Sequence, residues 1–178
     1  MNDRMWRVTK WSAIGITVAV IVAVPYLPGR TEPVTRERLA AARVLWESAA
    51  IADYDLELEF SGVQPGKYHV KVRGGTVAEL TLDGKPTNSN APEYFTIDGL
   101  FQTLDEYLDH CENPTTGVFP EGSQIWLRMR THPKLGYPVR FIKQVKLPAS
   151  RGVTGFEAST ATEGIEVRVR RFEPRTAP

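Results

Sequence analysis

Only one cysteine, Cys111, occurs among the 178 residues of this sequence. A single cysteine excludes an intramolecular disulfide and any cysteine-rich metal cluster. The net charge is also small, because 22 basic and 21 acidic residues leave a formal charge of +1. A nucleic-acid-binding domain usually carries a clear basic excess, so this balance argues against nucleic acid as a partner.

Recognisable catalytic motifs are missing too. The sequence contains no H-E-x-x-H zinc motif, no G-x-S-x-G nucleophile turn and no glycine-rich phosphate loop. Cys111 follows His110, but consecutive helical residues point about 100° apart, and only His69 or His132 remain as distant bases. We therefore predict no enzymatic activity, no cofactor and no metal site. A hydrolase whose site is unrecognised is the alternative.

One stretch, residues 11–29 (WSAIGITVAVIVAVPYLPG), has no charged residue at all. As a helix it would span roughly 28 Å, about the thickness of a bilayer's hydrocarbon core. Arg4, Arg7 and Lys10 precede it, a flank that the positive-inside rule keeps in the cytoplasm. We predict an uncleaved signal anchor with the rest of the chain outside the cytoplasm. A cleaved signal peptide and a buried core helix are the alternatives.

The remainder of the chain is long enough to form one hydrophobic core and too short for two domains that each have their own core. The prediction is a cytoplasmic tail at 1–10, the transmembrane anchor at 11–29, a linker at 30–34, a single extracytoplasmic domain at 35–173 and a frayed tail at 174–178.

Two periodicities alternate along this domain. Helical spacing of apolar residues follows the cap residues Thr35 and Thr96. Strand-like alternation marks YDLELEF, KYHVKVR, TVAELTL, SQIWLRMRT, VRFIKQVKL and GIEVRVRRF. Lys143 breaks the alternation of its strand, which indicates a β-bulge there. Gly74-Gly75 and Asp83-Gly84 are hairpin turns.

These elements predict an α+β fold with the order α-β-β-β-α-β-β-β. In this prediction an N-terminal transmembrane helix precedes an antiparallel sheet of five to six strands, and two helices pack on one face of the sheet. The short links between successive strands favour antiparallel pairing.

A family resemblance rests on spaced features of the chain. These are Trp46, the strand YDLELEF, the hairpin VRGGTV, the segment TIDGLFQTLDEY and the run LRMRTHPKLGYPVRF. Together, from Arg43 to Lys146, they resemble an uncharacterised bacterial family of cell-envelope proteins, a domain of unknown function often found behind a lipoprotein signal. The resemblance implies a location outside the cytoplasm and a small α+β domain, and it carries no activity. The lipobox cysteine of many such proteins is missing here, where the predicted anchor takes its place.

The most distinctive predicted surface is the sheet face that the helices leave open. Strand alternation places one exposed tryptophan and six cations there: Trp126, Arg128, Arg130, Arg140, Lys146, Arg168 and Arg170. Such a face could bind an acidic protein segment, an envelope polymer or phospholipid head groups, since arginine makes bidentate contacts with anions. A solvated face without a partner is the alternative.

We therefore predict a single-pass protein of the bacterial inner membrane that acts as a binding or structural module of the cell envelope. Its expected partners are the bilayer, through residues 11–29, and an anionic envelope protein or polymer.

Overall fold

The computed structural model describes residues 30–62, 65–113, 122–147 and 162–175. Their elements, in chain order, are β1 (Glu32–Pro33), α1 (Arg36–Ser48), β2 (Tyr54–Gly62), β3 (Gly66–Arg73), β4 (Thr76–Leu82), β5 (Lys85–Pro86), a 3-10 turn (Pro92–Phe95), α2 (Ile97–Glu112), β6 (Gln124–Thr131), β7 (Pro138–Lys146) and β8 (Thr162–Pro174). The strands form one sheet of eight, in the order β1-β6-β7-β8-β2-β3-β4-β5. All neighbouring strands are antiparallel.

The α+β class holds, but the predicted fold is wrong in its sheet, which has eight strands and not five to six. The two additional strands, β1 and β5, are two residues long each. A two-residue strand is too short to show any alternation, and β1 lies in the stretch predicted as a linker.

No helix among the residues listed above is long and apolar enough to cross a membrane. The predicted anchor at 11–29 and the tail at 1–10 lie outside the described residues.

Both helices pack on the same side of the sheet, which we call the inner face. The indole of Trp46 in α1 makes edge contacts with the rings of Tyr54, Tyr137 and Phe172, at centroid distances of 5.7, 6.3 and 5.7 Å. The Trp46 Nε1 donates to Asp98 in α2 at 2.9 Å. Burial of the Tyr54 phenol raises its pKa to about 12.

The first turn of α2 is fixed from two directions. The Thr96 side chain accepts a hydrogen bond from the Gly99 amide at 3.0 Å, and the Tyr54 hydroxyl accepts one from the Ile97 amide at 3.0 Å. These bonds satisfy two amides that a helix start leaves without an internal partner. A Cβ on Gly99 would lie 2.1 Å from the Glu93 carbonyl oxygen, so only glycine lets the 3-10 turn approach this closely.

The helices also contact each other through ion pairs. Arg36 in α1 pairs with Glu112 at 2.7 Å and with Asp109, and Arg43 pairs with Asp105. Three of the acidic residues of α2, Asp105, Asp109 and Glu112, therefore bind α1.

The β-bulge predicted at Lys143 is absent from β7. The register of β7 runs without a shift past Lys143, which pairs with Leu127 of β6 and Ile165 of β8. No bulge turns its side chain outward, so Lys143 lies on the inner face and is 8% exposed. Its ammonium lies 3.9 Å from the centroid of the Tyr107 ring, a contact that stabilises a cation in apolar surroundings.

Candidate functional site

The outer face of β6, β7 and β8 carries the predicted anion-binding residues. Along β6, the outward Trp126 and Arg128 alternate with Leu127 and Met129, which are buried on the inner face. The seven predicted residues are Trp126, Arg128, Arg130, Arg140, Lys146, Arg168 and Arg170, and we call them the cationic surface. Strand alternation places them on one face, and the pairing of β7 with β6 and β8 brings the three strands side by side.

Three arginines of this surface stand side by side. Arg130 pairs with Arg140 across β6 and β7, and Arg140 pairs with Arg168 across β7 and β8. Because neighbouring strands lie about 4.8 Å apart, the three backbone positions span roughly 10 Å. Like charges in adjacent positions repel each other, so this row requires a nearby carboxylate or a bound anion to hold it.

Glu166 supplies part of that compensation. Its Oε1 accepts a hydrogen bond from Arg140 Nε at 2.7 Å and a second from Arg168 Nε. Partial burial acts to raise the pKa of Glu166, but the bonds from Arg168 and Arg140 outweigh it and lower the pKa below its usual range. One carboxylate thus bridges two guanidinium groups, while Arg130 forms no ion pair with a carboxylate in the described ranges.

Arg170 reaches a different carboxylate because β8 is irregular near its end. Leu58 pairs with Val169 and Glu57 pairs with Arg171, so Arg170 is the extra residue of a bulge. Its Nε donates to Glu59 Oε2 at 2.6 Å. The same bulge returns Phe172 to the inner face, where its ring lies 4.7 Å from that of Tyr137.

The remaining members lie near the β6 edge. Trp126 is 45% exposed and pairs with Gln144, while Lys146 is exposed and pairs with Gln124. Arg128 donates to the Thr31 carbonyl oxygen at 2.7 Å, beside the short strand β1. A bond to a neutral carbonyl leaves its positive charge uncompensated.

The surface as a whole keeps a positive excess. Its six cations face two contacting carboxylates, Glu166 and Glu59. Both acids lie towards β8 and β2, so the excess is concentrated on β6 and β7. An anion can therefore contact arginine and the exposed indole at the same place.

The candidate bases His69 and His132 and the candidate nucleophile Cys111 lie outside this surface and in three different parts of the fold. His132 accepts hydrogen bonds from the amides of Lys134 and Leu135 at 3.3 and 3.1 Å and stacks on Tyr137, so it shapes the turn before β7. His69 lies on the outer face of β3, 4.0 Å from Glu57. Burial raises the pKa of the Cys111 thiol, which packs against the inner core.

A shallow depression of about 260 Å³ has His69 among its lining residues. Its charged lining includes Asp55, Glu173 and Arg175, and no serine, threonine or cysteine is among its lining residues. Asp55 is paired with Arg175 and with Arg73. In the part of the chain that the structure describes, no three His, Cys, Asp or Glu side chains gather in a way that could hold a metal ion.

Sequence reasoning missed the two carboxylates of the site. Glu166 has the same parity as Arg168 on β8, so the alternation itself contained the signal that an acid shares this face. Glu59 could not be assigned in the same way, because its contact with Arg170 depends on which strands are neighbours and on the bulge.

Comparison with known proteins gives one finding. Residues 38–115 match the model of a family of unknown function, DUF6174. The prediction of a domain of unknown function is therefore confirmed, and the match ends before β6, short of the expected limit at Lys146. No curated protein and no solved structure matches the chain. The cationic surface thus lies beyond the matched range, on β6, β7 and β8.

Proposed function

We propose that this chain, which carries a DUF6174 domain, is a non-catalytic binding module of the bacterial cell envelope. In this proposal residues 11–29 anchor it in the inner membrane, and the domain lies outside the cytoplasm. The uncharged length of that stretch and the cations before it support the anchor and its orientation. The partner is an acidic segment of another envelope protein, bound on the cationic surface.

The observation that carries the proposal is the row of Arg130, Arg140 and Arg168 beside the exposed Trp126. Glu166 offsets the repulsion between Arg140 and Arg168, but Arg130 stands beside Arg140 without an ion pair to a carboxylate in the described ranges, and this remaining repulsion opposes folding. A bound anion removes this repulsion, and the guanidinium fork matches a carboxylate in shape.

An acidic polypeptide fits the spacing of this surface. In an extended chain the side chains on one side recur about every 6.6 Å, so two or three carboxylates can cross a row that spans roughly 10 Å. The indole of Trp126 supplies the apolar contact on which protein interfaces often depend, since tryptophan and arginine dominate interface energetics.

The test uses poly-L-glutamate as the acidic probe and the full chain as the binder. Changing Arg128, Arg130 and Arg168 to glutamine should weaken binding roughly tenfold, because three exposed charge contacts of up to about 1 kcal/mol each are lost. Wild-type binding should weaken as salt rises from 50 to 300 mM. Isothermal titration calorimetry measures both effects.

The matched control removes the same charge at the opposite end of the sheet. The variant with Lys67, Lys71 and Lys85 changed to glutamine has the same net charge, and those lysines lie on β3 and β5. It should retain wild-type affinity. Equal losses in the two triple variants would show that net charge alone attracts the probe and would refute a defined surface.

The location is tested separately from binding. In cells with a permeabilised outer envelope and an intact inner membrane, protease should digest a C-terminal tag on the full chain. Protection of the tag would place the domain in the cytoplasm and contradict the proposed orientation.

A further inference from the structure

A cavity of about 360 Å³ lies between α2 and the inner face of the sheet. This volume falls in the range of about 300 to 1,000 Å³ that is typical of small-molecule sites. Three of its lining residues, Leu100, Phe141 and Val167, are buried members of the hydrophobic core, and the other six are half-buried. The cavity is therefore a recess of the core with a half-buried rim, which a small molecule can enter.

Aromatic side chains form most of its walls. Five of the nine lining residues are aromatic: Phe60, Tyr94, Phe95, Tyr107 and Phe141. Phe60 and Phe95 form a tilted pair at a centroid distance of 5.9 Å, and Tyr107 and Phe141 form an edge pair at 6.4 Å. Aromatic rings attract one another in such geometries beyond what buried area alone provides. A ligand that carries a ring gains contacts here that a saturated molecule of the same size lacks.

The lining is also uncharged. Its four other members are one leucine, one isoleucine, one valine and one threonine, so no acidic or basic side chain of the described ranges lines the cavity. Lys143 contacts the ring of Tyr107 but is not a lining residue. Burial raises the pKa of the Tyr107 phenol, so this hydroxyl stays neutral at pH 7. A charged ligand would lose its hydration here without gaining a partner of opposite charge.

Two of the three hydroxyl groups in the lining already have partners within the domain. The Thr103 hydroxyl donates to the Gly99 carbonyl oxygen at 2.9 Å. The Tyr94 hydroxyl donates to Glu106 and accepts a hydrogen bond from Gln102, both at 3.2 Å. An apolar ligand leaves these bonds in place, so it does not separate either hydroxyl from its partner.

From this lining we propose that the cavity binds a small neutral aromatic molecule, with its ring packed on the aromatic walls. The inference goes beyond the binding of an acidic segment, because none of the seven residues of the cationic surface lines the cavity. Binding is non-covalent, and burial of apolar area together with ring contacts drives it.

The experiment titrates 2-naphthol, which is neutral at pH 7, into the full chain and measures affinity by isothermal titration calorimetry. Two comparison compounds each change one property of the ligand. 2-Naphthoate keeps the rings and adds a negative charge, and it should bind in the cavity at least about tenfold more weakly, because its carboxylate finds no partner there. Decahydro-2-naphthol keeps the carbon skeleton and the hydroxyl but has no aromatic ring, and it should bind at least about threefold more weakly.

Substitutions at Thr103 test the cavity itself. The Thr103→Phe variant places a ring in the cavity from α2 and should lose naphthol binding. The matched control, Thr103→Val, keeps the shape of the side chain and should bind naphthol as the wild type does. NMR shifts of the Ile165 methyl groups report occupancy in the wild type, so the test does not depend on the folding of either variant.

The variant with Arg128, Arg130 and Arg168 changed to glutamine separates this site from the cationic surface. It should bind naphthol as the wild type does, so failure of the cavity and failure of the cationic surface are distinguishable. The same variant removes cations that could hold naphthoate outside the cavity.

Three results would overturn the proposal. Equal affinities of naphthol and naphthoate in that triple variant would mean that the lining does not select a neutral ligand. Undisturbed Ile165 methyl signals at saturating naphthol, or unchanged affinity in the Thr103→Phe variant, would place the ligand elsewhere.

Discussion

The two faces of this sheet follow the same alternation of residues and yet are stabilised by different interactions. On the inner face, Tyr54, Leu58 and Val72 are 0–1% exposed beneath two helices. On the outer face, the side chains of Lys71 and Glu79 pair at 2.6 Å while each remains about half exposed, at 50% and 52%. Burial of apolar area stabilises by about 25 cal/mol per Å², whereas an exposed ion pair contributes 0 to 1 kcal/mol.

The inner face therefore determines whether the domain folds, and the outer face remains available for binding. Charges on the outer face still help to specify the register. Asp55 lies between Arg73 and Arg175, and Lys71 pairs with Glu79 across β3 and β4. A slip of one residue would move these charges to the inner face, where they could not be accommodated.

The largest expected effect is the loss of stability when Trp46 on the inner face is replaced. Changing Trp46 to alanine removes three aromatic contacts and the hydrogen bond to Asp98, so we expect a loss of about 3–5 kcal/mol in the free energy of unfolding. Urea denaturation followed by far-UV circular dichroism measures it. The control is Leu45→Ala on the adjacent, exposed position of α1, which should cost about 0.5 kcal/mol or less. Comparable losses in the two variants would remove the distinction between buried and exposed positions.

An intermediate effect is expected at Glu166 on the outer face. Changing it to glutamine leaves Arg140 and Arg168 in adjacent positions without their shared carboxylate, so unfolding at pH 7 should become easier by about 1 kcal/mol. Poly-L-glutamate should bind this variant more tightly than the wild type, because the surface gains one positive charge. Weaker binding would contradict the assignment of this surface to an anion.

The pH dependence of stability gives a second test of the role of Glu166. The pKa of Glu166 is lower in the folded protein than the value of about 4.3 expected after unfolding, so its stabilisation is present above that value and is lost as the pH falls through the folded pKa. The wild type should therefore lose more stability between pH 5 and pH 3 than the Glu166→Gln variant does. Parallel pH profiles of the two proteins would show that Glu166 contributes nothing through its charge.

Much of the local structure was predictable because it depends on neighbours in the chain. Thr35 and Thr96 cap their helices as predicted, accepting bonds from the amides of Arg38 and Gly99. The alternation in β2, β3 and β6 placed Tyr54 and Leu127 inward and Trp126 outward. The caps follow from amides that a helix start leaves without a partner, and the strand faces follow from the single apolar face that each strand can bury.

The rest depends on contacts that the local pattern does not contain. The short β1 and β5 exist because β6 and β4 offer open edges, and the pairing of β8 with β2 joins the two ends of the domain. Lys143 was expected to require a bulge because it breaks the alternation of β7, and its contact with the Tyr107 ring of α2 could not be read from that alternation. Glu59 was missed for the same reason, whereas Glu166 has the parity of Arg168 on β8 and could have been assigned from the alternation.

The smallest expected effect concerns the exposed pair of Lys71 and Glu79. In a double-mutant cycle with alanine at each position, we expect a coupling of about 0.5 kcal/mol or less, falling further at 1 M salt. Asp55 and Arg73 provide the matched cycle, because Asp55 is only 22% exposed and the lower dielectric there strengthens the same kind of contact. The second coupling should exceed the first. If the exposed pair proved the stronger, ion pairs on the outer face would stabilise the sheet through geometry and not through burial, and the division of roles between the two faces would fail.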